Sequence, residues 1–87
     1  MRFQLKHPDR IIQDIQGIQS FTATLINGRR ITLLNNHAPI LAVLKEGKVR
    51  IKKDKELIEL NIQRSILRMR NNHIIVFCSA APMQEKE

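Results

Sequence analysis

Residues 20–34 read SFTATLINGRRITLL, and this stretch decides the fold. Phe21, Ala23 and Leu25 alternate with Thr22 and Thr24, the period of two that sets a strand's side chains on opposite faces. Asn27-Gly28 follows, and 29–34 resumes a β-branched, apolar run. An Asn-Gly pair between two β-prone runs predicts a tight hairpin, because both residues tolerate the positive φ such turns require.

The same period runs outward in both directions. Upstream, RFQLK sets Phe3 and Leu5 against Arg2, Gln4 and Lys6 before Pro8 interrupts the ladder, and RIIQDI offers a second short strand. Downstream, PILAVL is too short to separate strand from helix by period. The Glu46-Gly47 turn and the alternating KVRIKK beyond it favour a strand in a second hairpin. Asp54-Lys55 turns the chain into ELIELNIQ, and Asn71-Asn72 joins SILRMR to HIIVFCS. Turns about every eight to twelve residues predict an all-β single domain, a sandwich or barrel. The domain is expected over residues 1–81, with a polar tail over 82–87.

A hydrophobic fraction of 43% over 87 residues suits one folded domain. No apolar run approaches the roughly 18 residues a membrane helix needs, and the N-terminus has no apolar signal-peptide core. With the single Cys78, these features lead to the expectation of a soluble protein in a reducing compartment. The net charge of +7 calls for an anionic partner or surface.

Catalytic and metal chemistry find little support. His7, His37 and His73 fall at the edges of expected strands, and Glu56 and Glu59 fall on opposite faces of one strand. No nucleophile elbow or phosphate-cradling glycine loop is present. Zinc requires typically three or four converging ligands, and one cysteine with three dispersed histidines does not supply them. The expectation is a protein with no enzymatic activity, no cofactor and no metal. Nucleic-acid binding is the alternative: Lys45, Lys48, Arg50, Lys52, Lys53 and Lys55 crowd one ribbon and could neutralise phosphates. Against it, Phe3, Phe21 and Phe77 are the chain's three aromatics, and each sits in an apolar pattern where no base would stack.

Residues 35–53, NNHAPILAVLKEGKVRIKK, resemble the epsilon subunit of rotary ATP synthases. That family's N-terminal domain typically writes Pro-Gly-His-Ala-Pro-Leu-Leu, an apolar strand, Lys-Pro-Gly and a basic strand. FQLKHPDRIIQD, FTATLINGRRITLL and LNIQRSILRMRNNHIIVFCSAA are similar to its other strands, so the likeness covers residues 2–81 with a one-residue offset near 15–25. The resemblance implies a two-sheet β-sandwich of about ten strands. It implies a non-catalytic rotor subunit of the central stalk, packed against the gamma subunit and the membrane c-ring. Contact with the alpha/beta catalytic head would be indirect. Such a subunit couples proton flow to ATP synthesis or hydrolysis elsewhere in the complex. Its place would be peripheral, on the cytoplasmic face of the bacterial inner membrane. Carried over by position, the c-ring side loops are Asn27, Gly28, Arg29 and Arg30, and Asn35, Asn36, His37, Ala38 and Pro39.

Four departures bear on that expectation. The family's C-terminal helical hairpin has no counterpart before Glu87, so its regulation is expected to be absent. Arg29 and Arg30 stand where the family is often acidic, which asks for a neutral or acidic partner loop. Asn35-Asn36 replaces Pro-Gly, and Arg64-Ser65 replaces Gly-Gly.

Overall fold

A computed structural model describes residues 1–78. The expected tail over 82–87, and the end of the domain at 79–81, lie outside the described residues. Nine strands are described: β1 (Arg2–His7), β2 (Arg10–Ile15), β3 (Ser20–Thr24), β4 (Arg30–Leu34), β5 (Ile40–Leu44), β6 (Gly47–Lys53), β7 (Glu56–Ile62), β8 (Ser65–Arg70) and β9 (His73–Phe77). They form a five-stranded sheet in the order β2-β1-β9-β8-β5 and a four-stranded sheet in the order β4-β3-β6-β7. The period of two left a sandwich or a barrel open; the observed architecture is the two-sheet sandwich that the family resemblance implies.

The period also assigns the core. Phe3, Leu5, Leu67, Met69, Ile74 and Val76 project inward from the five-stranded sheet to meet Phe21, Leu33, Val49 and Ile51 from the other. The Phe3 and Phe21 rings stack across this layer with centroids 5.4 Å apart. Burial of these side chains is the main driving force for closing the two sheets on each other.

Three local features differ from the sequence expectation. The β3–β4 connection is longer than a two-residue turn. Gly28 N–H donates to the Leu25 carbonyl at 2.8 Å, and Leu25 N–H donates to the Arg29 carbonyl at 2.7 Å. Of the Asn27-Gly28 pair, Gly28 carries the positive φ, 91°. Asn27 instead accepts the Arg29 N–H on its side-chain oxygen at 3.0 Å. This is a β-turn followed by a left-handed residue, the usual three-residue hairpin loop. It lets Leu25 bridge to Leu44 in the other sheet.

Second, β5 and β6 do not pair as a hairpin. β5 pairs with β8 in one sheet, and β6 with β3 and β7 in the other. Gly47, at φ 142°, makes the sharp change of sheet possible. Third, β1 and β2 change register between Leu5 and Lys6, a bulge that bends this edge. The Asn71-Asn72 turn, by contrast, falls where the sequence places it, and both residues carry positive φ, 52° and 59°.

Candidate functional site

All nine candidate loop residues are exposed. They fall into two groups at opposite ends of β4: 27–30 precede and enter the strand, and 35–39 follow it. Four strand residues, Ile31 to Leu34, separate the groups, so Arg30 and Asn35 lie about 16 Å apart along the chain. They do not converge into one pocket. They do share a side of the molecule, because β4 is an edge strand of its sheet. A single flat partner lying along β4 could touch both.

The 35–39 loop is braced from the neighbouring β8–β9 turn. Asn36 N–H donates to Asn72 Oδ1 at 2.6 Å, and the Asn72 amide donates back to Asn36 Oδ1 at 3.1 Å. Asn36 sits at φ 64°, a left-handed conformation that asparagine tolerates better than most residues. Asn35 Oδ1 accepts from the Met1 ammonium at 3.1 Å, and His37 N–H donates to the Leu34 carbonyl at 3.1 Å. The imidazole Nδ1 of His37 lies 2.7 Å from the Ala38 carbonyl, an acceptor, so Nδ1 carries a proton. The ring therefore braces its own turn through Nδ1, in a loop held open to solvent on all five residues.

Sequence reasoning missed the most organised polar cluster. Gln4, on the strand face opposite Phe3 and Leu5, is buried. Its carbonyl oxygen lies 2.8 Å from His73 Nε2, and its amide donates to Asp14 at 3.2 Å. Arg2 grips the same carboxylate through Nε at 3.1 Å and Nη2 at 2.8 Å. The hydrogen bonds from Arg2 hold the Asp14 carboxyl at about 2, well below its ordinary 3.8. Burial pushes His73 below its ordinary value, and the charges of Arg2 and Lys6 add to that. Pairing of Gln4, Asp14 and His73 requires the β2-β1-β9 order, which no local pattern in the sequence discloses.

The basic ribbon is partly neutralised. Glu59 pairs with Arg50 at 3.2 Å and lies 3.7 Å from Lys48. Phe3 and Phe21 are core residues, so they are not available to stack on bases. Among the described residues no group of three or more His, Cys, Asp or Glu is placed to hold a metal. No described helix is long and apolar enough to cross a membrane.

These features define the class: a two-sheet β-sandwich domain that presents its candidate residues on exposed loops flanking an edge strand. More particularly, the chain belongs to the family of the ATP synthase delta/epsilon chain β-sandwich domain, whose family profile matches residues 1–84. It is 30% identical over 74 residues to the chloroplastic ATP synthase epsilon chain of Adiantum capillus-veneris, covering 85% of this chain and 54% of that one. The ATP synthase epsilon chain of Synechococcus sp. (strain PCC 6716) is 29% identical over the same length, covering 85% and 52%. The chain thus spans about half the length of these relatives.

The fold is shared with a chain of the Tetrahymena thermophila mitochondrial ATP synthase central stalk/c-ring structure, at TM-score 0.70 and 16% identity, covering 92% of this chain and 63% of that one. A chain of the Euglena gracilis mitochondrial ATP synthase OSCP/F1/c-ring structure matches at TM-score 0.76 and 13% identity, covering 86% and 48%.

Proposed function

We propose that the protein is a non-catalytic central-stalk subunit of a rotary, proton-translocating ATP synthase. In this reading it links the gamma subunit to the c-ring and helps couple proton flow to ATP synthesis or hydrolysis in other subunits. It would act as a peripheral component on the cytoplasmic face of a bacterial inner membrane. The observation that carries the proposal is the family match across the whole sandwich, residues 1–84. Geometry supports it: Asn27 to Arg30 and Asn35 to Pro39 bracket the β4 edge and form an elongated contact side suited to a broad, flat ring.

Loop rigidity supports the same role. The Asn36–Asn72 pair and Pro39 pre-order the 35–39 loop, so little chain entropy is lost when a partner docks. Capture of the tagged chain from detergent-solubilised native membranes tests the reading. Gamma and c subunits should co-purify with it; a capture that recovers neither overturns the proposal.

A further inference from the structure

The outer face of the four-stranded sheet gathers cations around a small cavity. Strand register sets Thr32, Thr22, Arg50 and Glu59 in one row across β4, β3, β6 and β7. In the next outward-facing positions Thr24 lies opposite Arg30, and Lys48 opposite Asn61. Side chains directly opposite on antiparallel strands stand about 5 Å apart at Cβ, so each threonine has a guanidinium stem beside it. Thr22, Thr24, Arg30, Lys48 and Arg50, with Ala23, line a cavity of about 50 Å³. That is several times the roughly 15 Å³ a single water needs.

Charge on this face is unbalanced. Among the described strand residues, Arg30, Lys48, Arg50 and Lys52 face outward here, and Glu59 is the one carboxylate among them. It takes up part of Arg50 and Lys48 from the far side of the row. No described carboxylate pairs with Arg30. The hydroxyls complete a donor set. Thr22 and Thr32 Oγ1 are 3.1 Å apart, so Thr32 can donate to Thr22 and leave the Thr22 proton for an acceptor in the cavity.

We infer that this cavity is a binding site for a phosphate group, held by Arg30, Lys48 and Arg50 and by the Thr22 and Thr24 hydroxyls. A phosphomonoester fits that donor set because it brings up to two negative charges and several acceptor oxygens to one point. Arginine's planar fork is matched to such an oxyanion, and Glu59 acts as an internal competitor for the same cations. A single-stranded nucleic acid fits less well: a point-like cavity offers no track along a backbone, and no aromatic ring lies on this face to stack a base. The inference goes beyond the rotor reading and does not depend on it. Arg30 belongs both to the β4 side and to this cavity, so Arg50 and Glu59, on strands away from β4, carry the test.

Inorganic phosphate is the first probe, titrated into the whole isotope-labelled chain at constant ionic strength and read by amide chemical shifts. Saturable changes are expected at Thr22 to Thr24, Arg30 and Lys48 to Arg50, with acetate binding more weakly. Arg50→Gln should weaken phosphate roughly tenfold. Glu59→Gln should tighten it about two- to fivefold, because the competing carboxylate is gone. Lys55→Gln, at an exposed position of the β6–β7 turn, removes the same charge as Arg50→Gln and should change affinity less than about twofold. Circular dichroism verifies that the variants fold. Glycerol 3-phosphate and phosphatidic acid vesicles distinguish the source of the group. Tighter binding of the vesicles, lost in Arg50→Gln, assigns it to a lipid headgroup; tighter binding of the soluble ester assigns it to a small metabolite. Shifts that do not saturate, acetate binding as tight as phosphate, equal losses in Arg50→Gln and Lys55→Gln, or weaker binding by Glu59→Gln overturns the inference. So does a single-stranded oligonucleotide that binds more tightly than phosphate and is indifferent to Arg50→Gln.

Discussion

At the residue scale, the Arg2–Asp14–Gln4–His73 cluster links the fold to pH. Asp14 has its carboxyl held at about 2 instead of 3.8, so its contribution is present above about pH 4 and is lost as pH falls through 2. His73 is also depressed, so the fold favours the neutral imidazole. Its contribution is present above the ordinary value of 6.5 and declines as pH falls below it. Both groups therefore destabilise the protein in acid, in two separate windows. Urea unfolding from pH 8 to pH 2 should show stability falling first below about 6.5 and again below about 4. His73→Gln should flatten the first decline and Asp14→Asn the second. An unchanged pH profile in either variant would show that its group does not titrate with folding. Leu67, fully buried on the inner face of β8, carries a different term. Leu67→Ala removes core contacts without a polar consequence and should cost about 2–5 kcal/mol at every pH.

At the scale of elements, turns divide into those whose chemistry is local and those set by tertiary contact. Asn71-Asn72 was legible because positive φ at both positions follows from the residues themselves. Asn27-Gly28 was legible as a turn but not as a two-residue one. The Leu25–Leu44 bridge to the other sheet lengthens it, and sheet-to-sheet contact leaves no mark in a local window. The β5–β6 junction misled for the same reason: a strand–glycine–strand pattern reads alike whether the chain returns along its own sheet or crosses to the other. Asn72 offers a test that separates backbone from side-chain effects. Asn72→Ala forces a left-handed φ on a residue that resists it and deletes both bonds to Asn36, so a loss of about 2–4 kcal/mol is expected. Asn72→Gly keeps the backbone relaxed and deletes the bonds, so it should lose less. Equal losses in the two variants would assign the whole effect to the Asn36–Asn72 pair.

At the scale of the molecule, the candidate loops form a side rather than a pocket, and this explains why their residues could be named while their arrangement could not. His37 and Pro39 stand out in a local string, whereas the position of β4 at a sheet edge depends on pairing among strands distant in sequence. Arg29 and Arg30 sit at one end of that edge, exposed and with no described carboxylate partner. Charge there can be reversed without disturbing the core. R29E/R30E should melt within a few degrees of the parent chain, because exposed loop charges away from packed features typically change stability by less than about 0.5 kcal/mol. Docking along β4 is expected to respond differently. If a neutral or acidic ring loop faces this end, reversal replaces attraction with repulsion at close range. Recovery of c subunits with the tagged chain should then fall, while recovery of gamma persists if gamma contacts another face. In inverted membrane vesicles, proton pumping per ATP hydrolysed should fall in parallel. Coupling and c-subunit recovery equal to those of the parent chain would remove this end of β4 from the ring contact and leave the His37 loop to carry it.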